Sequence, residues 1–215
     1  MIKGEQGSRT KQWVIKVDAE DTFPFALDVG IPSGIKTDLG YISEARSCVA
    51  GYQSISNSEG TFAGTESIAD GTYHINVAVD GGAVGDLSIV LATKTVADLP
   101  AVIQTALRAD TSSTETVTLT GGKIVFTSAT KSDDSAIIIT EGAGDDGGLI
   151  AALTAISGVT AIIDTAVNGG AQTLLTDVLS SFNAVTGILT ITAGSTAFVA
   201  DDEIKVLTWF YTADS

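Results

Sequence analysis

The sequence predicts an α+β fold that is mainly β, in which strands from both chain ends form a frame around an inserted β-β-α-β-β module. Three observations predict it. Tyr73, Ile75, Val77 and Val79 alternate with smaller or polar residues, the period of a half-buried strand. Behind Thr95 the spacing changes: Val96, Leu99, Val102, Ile103, Ala106 and Leu107 form one face of a helix of about three to four turns. Strand patterns then stand at both ends, around Trp13 and across 203–211.

Taken in order, the chain opens with a polar arm, residues 1–11, carrying Lys3, Arg9 and Lys11. Trp13, Ile15 and Val17 alternate with Val14 and Lys16 as a first strand. Phe23-Pro24-Phe25 and Ile31-Pro32-Ser33-Gly34 break the next stretch into an extended, turn-rich segment, because Pro fixes φ and removes a donor. A weaker alternation lies within 40–50. The Ser-, Gly-, Asn- and Thr-rich run 51–71 reads as a connector into the module.

Inside the module, Asp80-Gly81-Gly82 closes a hairpin onto Leu87, Ile89 and Leu91. Thr95 stands three residues before Asp98, a capping-box pattern with Asp in the Glu position. Pro100 falls in the first turn, where a missing N–H is tolerated. Gly121-Gly122 is a two-residue hairpin signal between strands 116–120 and 123–128, and 136–140 makes a fifth strand. The expected arrangement is one sheet with one helix across one face. Burying the helix's large aliphatic side chains is worth roughly 1.5–3 kcal/mol each, so the helix depends on the sheet beneath it.

After the fifth strand, 141–148 reads as a flexible acidic loop, 149–156 as a short helix and 159–167 as a strand. Asn168-Gly169-Gly170 marks the return to the frame. Leu174, Leu175, Val178, Leu179 and Phe182 have helical spacing over two turns, and Val185, Ile188 and Ile191 flank Gly187 as a strand pair. In the last strand Ile204, Val206 and Phe210 point to one face, and Leu207, Trp209 and Tyr211 to the other. A strand with one wet face should alternate apolar and polar. This one is apolar on both sides at its far end, so Leu207, Trp209 and Tyr211 are the candidate interaction residues, Trp and Tyr being enriched at interface hot spots. Trp13 is expected in a core shared by the first and last strands. The domains are therefore 1–66 together with 167–215, a β-rich anchoring frame, and 67–166, the inserted module.

The run GTYHINVAVDGG, then DLSIVLATKTVADLPAVIQTALRA, the hairpin GGKIVFTS and the strand SAIIIT resemble a small insert module of tailed-phage structural proteins, tail sheaths among them, and of flagellin and hook-associated proteins. The resemblance covers about 90 of the 215 residues. In those families the module is a spacer or contact domain without chemistry, which implies a virion structural protein and does not specify which part.

Charge and side-chain inventory narrow the function classes. The chain holds 26 acids against 11 bases, a net charge of −15, and 67–165 alone set 12 acids against four bases. Binding nucleic acid requires clustered Lys and Arg to displace counterions, so no nucleic-acid partner is expected. His74 is the only histidine, which excludes a multi-histidine metal site, and it stands on the polar side of its strand. Cys48 is the only cysteine, so no intrachain disulfide forms, and it reads as a small buried side chain. Neither GxSxG nor a P-loop occurs.

Asp133-Asp134, Asp145-Asp146 and Asp201-Asp202-Glu203 could supply oxygens to a hard cation such as Ca²⁺, yet none has EF-hand spacing. The turn preference of Asp explains them without one. No enzyme, cofactor or metal is expected. The N-terminus lacks the apolar core of a secretory signal, and no apolar run approaches the ~20 residues that span a bilayer, so no membrane partner is expected. The expectation is a bacteriophage virion protein made in the host cytoplasm: a capsid decoration protein that binds itself and the major capsid protein. The alternatives are a tail, collar or baseplate component, or a glycan-binding module using loops 80–86 and 141–148.

Overall fold

The computed structural model describes residues 9–29, 35–112, 114–183 and 185–212, with the side chains of 9–11, 35–41, 43 and 209–212 outside the described set. The predicted arm over 1–8 and the Ile31-Pro32-Ser33-Gly34 break lie outside the described residues.

The protein is mainly β, with two α-helices among the described residues, and divides into two compact units: Met1–Val49 with Ala171–Ser215, and Ala50–Gly170. The first unit begins with β1 (Arg9–Lys16), β2 (Phe25–Asp28) and β3 (Ile35–Val49). The inserted unit runs through β4 (Tyr52–Asn57), β5 (Ser67–Ile68), β6 (Gly71–Val79), β7 (Gly85–Leu91) and β8 (Lys94–Thr95). A 3-10 turn (Val96–Asp98) leads into α1 (Leu99–Thr111). Then come β9 (Thr116–Thr120), β10 (Lys123–Thr127), β11 (Ile137–Glu141), α2 (Leu149–Thr154) and β12 (Ala161–Ile163). The chain returns with β13 (Gly170–Leu174), β14 (Leu179–Asn183), β15 (Ile188–Thr192) and β16 (Glu203–Thr212).

The unit boundary falls at Val49/Ala50 rather than 66/67, because 51–66 is not a connector. β4 is an inner strand, in the order β12-β4-β10-β9. Its polar residues, which suggested a linker, are buried and satisfied. The Gln53 amide donates to the Asp164 carbonyl and accepts from the Ile139 N–H. Ser54 and Ser56 hydroxyls both donate to the Asp164 carboxylate at 2.7 Å, and Lys123 Nζ reaches it at 3.0 Å. Burial opposes the charge of Asp164, but these donors outweigh it and hold its pKa below the usual range.

The order β-β-α-β-β holds, but the two hairpins belong to different sheets. β6 and β7 pair within β11-β6-β7, while β9 and β10 lie in the sheet with β4. Helix α1 therefore packs against strands of two sheets, β7 and β9, and not across one. Both sheets and both helices share one core, in which Ile75, Ile89, Leu99, Ile103, Leu107, Ile124, Phe126 and Leu153 are fully buried. The Asp98 carboxylate accepts from the Thr95 N–H at 2.9 Å and hydroxyl at 3.0 Å, so the predicted cap forms. Gly121 and Gly122 adopt φ of 59° and 71°, the left-handed pair that a two-residue hairpin turn requires.

Loop 142–148 is tied down rather than free. Gly147 accepts the His74 N–H, and the Asp146 carboxylate accepts the Thr72 N–H at 2.7 Å, which extends the β11 side of β6. The 159–167 strand is shorter than expected, with β12 covering only Ala161–Ile163.

In the first unit two sheets, β1-β16-β3-β13 and β14-β15-β2, enclose a core of Val17, Val29, Ala45, Leu189, Ile191, Ile204 and Val206. Trp13 packs against this core directly opposite Val206, as expected of first and last strands that share an interior. The helix expected over 174–182 is instead β13 and β14. A two-turn helix has nucleation against it. Pairing of Leu179–Asn183 with Ile188–Thr192 satisfies the same backbone, and the Asp177 carboxylate accepts from the Ser195 N–H and hydroxyl to hold the intervening turn.

Candidate interaction surface

The last strand, β16, is paired on both sides along most of its length, by β1 and by β3. Leu207 is half-buried and stands opposite Gln12 and Tyr41. Trp209 is opposite Thr10 and Leu39, and Tyr211 opposite Lys36. The side chains of Trp209, Phe210 and Tyr211 lie outside the described set. Val206 and Thr208 are fully buried on the core face, so register positions 207 and 209 fall on the other face.

β3 and β16 shift register between Lys205 and Val206. There Lys205 pairs with Glu44 but Val206 pairs with Ile42, so one extra residue, Ser43, is absorbed as a bulge. Ile42 turns to the core while Glu44 and Arg46 take the outer face. On that face Arg46 Nε donates to Glu44 Oε1 at 2.7 Å, and Lys205 Nζ reaches Glu44 at 3.1 Å and Glu203 at 3.3 Å. The hydrogen bonds from Arg46 and Lys205 hold the Glu44 carboxyl below its ordinary pKa, and the same contacts raise both bases.

The other singled-out residues have structural partners. His74 Nδ1 lies 3.0 Å from Asp86, and its ring packs so tightly against Gly144 that a Cβ there would collide with it. Cys48 is buried. The Asp201-Asp202-Glu203 cluster splits three ways: Asp201 pairs with Lys16 at 3.1 Å, Glu203 pairs with Lys205, and Asp202 is fully buried. Asp202 accepts the Cys48 N–H at 2.6 Å and the Val199 N–H at 2.9 Å. No sequence signal separates this buried knot from its two half-buried acidic neighbours.

Beside loop 80–86 an open cleft of about 550 Å³ is lined by Val79, Asp80, Val84, Gly85, Asp110 and Glu115. Two of its carboxylates are already engaged, Asp80 by the Ser128 hydroxyl and Ala136 N–H, Glu115 by the Thr111 hydroxyl. Among the described residues no group of three or more His, Cys, Asp or Glu is placed to hold a metal ion, and no helix is long and apolar enough to cross a membrane.

No protein-family model and no curated protein matches the chain. Among solved structures it is similar to the crystal structure of the flagellar cap protein FliD D2-D3 domains from Escherichia coli. The match covers 97% of this chain and 100% of that one, at 13% identity and a TM-score of 0.34. A TM-score of that size does not establish a shared fold.

Proposed function

We propose that the chain is a non-enzymatic structural subunit of a multi-copy particle, and within that class a capsid decoration protein of a tailed phage. The observation that carries this reading is the three-stranded pairing of β1, β16 and β3, which builds the apolar run Leu207-Thr208-Trp209-Phe210-Tyr211 into a sheet joined to both ends of the chain. A sheet so anchored resists shear at a contact better than a loop does. The engagement of His74, Asp80, Asp202 and Glu115 in structural hydrogen bonds supports a non-catalytic role. The virion assignment rests on the sequence resemblance of the inserted module and on the acidic, charge-poor make-up, and the narrower assignment to the head on the chain's small size and a short frame able to grip a lattice.

In this reading the frame binds copies of itself and the major capsid protein, adding contact area between capsomers, and no nucleic acid, membrane, metal or cofactor takes part. Immunogold electron microscopy of purified virions tests it. Label distributed over the head in hundreds of copies is the expected result. Label at a single vertex assigns the protein to the tail, collar or baseplate, and unlabelled particles overturn the virion assignment altogether.

A further inference from the structure

On the outer face of sheet β1-β16-β3-β13 four charges of β3 and β16 form a two-by-two checkerboard, with Lys16 of β1 opposite Glu203 and paired with Asp201. Across the strands Lys205 stands opposite Glu44, and Glu203 opposite Arg46. Along each strand the sign alternates as well, Glu44 to Arg46 and Glu203 to Lys205. Two bases and two acids make this patch neutral on a chain of net charge −15. Each of the four side chains keeps between 31% and 37% of its surface exposed, enough to contact something further.

Farther along the same face stands the half-buried Leu207, and the backbone register sets positions 41 and 39 opposite positions 207 and 209. On β1, Val14 stands opposite Lys205 and is 58% exposed. The bulge at Ser43 is what brings the charged positions 44 and 46 and the apolar positions 39 and 41 onto one side of β3.

We propose that this face is the interface of a homodimer. A checkerboard is its own electrostatic complement. A two-fold axis running along the strands, between β3 and β16, lays Glu44 over Lys205 of the partner subunit and Arg46 over Glu203 of the partner subunit. The same rotation brings Leu207 of both copies into the interface, where burying its apolar surface adds to the match of charges. Sheets stacked face to face sit about 10 Å apart, a gap that side chains of this size fill. A partner carrying one sign of charge would meet as many like charges here as opposite ones, whereas a second copy meets only opposite ones. Between two chains that each carry −15, a neutral patch is also where repulsion is least. The inference rests on reading the C-terminal strand as a contact surface.

Sedimentation equilibrium of the intact chain tests it. The expected mass at micromolar concentration is twice 21.9 kDa. Leu207→Glu is expected to give a monomer with an unchanged circular dichroism spectrum, and if that variant does not fold, Val14→Glu at an exposed position serves the same purpose. Arg46→Glu sets like charges against each other across the axis and should weaken association by about tenfold or more. Arg46→Glu with Glu203→Arg restores an alternating pattern along that row and should recover most of the loss. A wild-type chain that stays monomeric at every concentration, or a dimer that both Leu207→Glu and Arg46→Glu leave intact, overturns the proposal. A dimer of this kind missing from virions would overturn the virion assignment and leave the interface standing; a monomer found in virions would do the reverse.

Discussion

Asp202 shows how much one side chain can hold. It is fully buried, and its two oxygens accept backbone N–H groups from Cys48 at the end of β3 and from Val199 before β16. Removing the carboxylate takes from the buried Cys48 N–H this acceptor, at a cost on the order of 1–3 kcal/mol, while the N–H of Val199, a residue 41% exposed, can turn to water. Asp202→Ala should therefore lower the urea midpoint markedly, and a loss below about 1 kcal/mol would contradict the assignment. Asp202→Asn should rescue only part of it, because the amide nitrogen must face one of the two N–H donors. Gly142 gives a second residue-scale test. A Cβ there would collide with the His74 carbonyl carbon, which is backbone and cannot swing aside, whereas one at Gly60 meets nothing within 4 Å. Gly142→Ala should destabilise and Gly60→Ala should not, as thermal unfolding will show.

Among the elements, α1 owes its position to a short code. Ile103, fully buried between strands of two sheets, should cost about 2–5 kcal/mol when truncated to Ala. The Asp98 carboxyl is held below its ordinary pKa, first by the Thr95 N–H and then by its hydroxyl. Because the folded pKa lies below the unfolded one, this cap stabilises the protein above the unfolded value of about 4 and stops doing so as pH falls through the folded value. The stability gap between wild type and Asp98→Asn should thus be constant near neutrality and close on acidification below about pH 4. A gap that widened in acid would contradict the sign. The helix, its cap and the Gly121-Gly122 hairpin were legible because each depends on neighbours within about four residues. β4 and the 174–182 region were not. Gln53, Ser54 and Ser56 look like linker residues until Asp164 and Ile139, far away in sequence, satisfy them. The alternation within β3 looked weak because the bulge at Ser43 reverses its phase.

At the scale of the molecule, the second unit is inserted into the chain of the first at a narrow junction. The Gly51 N–H donates to the Ser135 hydroxyl at 2.8 Å and the Gly169 N–H to the Ser135 carbonyl at 2.7 Å, so entry and exit of the inserted unit are held side by side by one buried residue. Tyr52 and Val167 exchange backbone hydrogen bonds just inside. Termini this close permit excision. A chain of residues 50–170 should fold alone, giving the dispersed amide spectrum of an α+β unit; a collapsed, poorly dispersed spectrum would show that it borrows stability from the frame. Four bases against 14 acids in that unit make it the more acidic of the two.

What the sequence determined by itself was local and periodic: the mainly β class, the long helix α1 with its cap, the glycine turns, the insertion between two framing segments and the excess of acids over bases. These rest on the spacing and turn chemistry of near neighbours. The tertiary structure alone decided which hairpin joined which sheet, where the insertion began, which of three adjacent acids went inside and which side of β3 faced outward. Those outcomes depend on backbone groups finding partners far off in the chain, and on one extra residue at Ser43, which no periodicity in a single strand encodes.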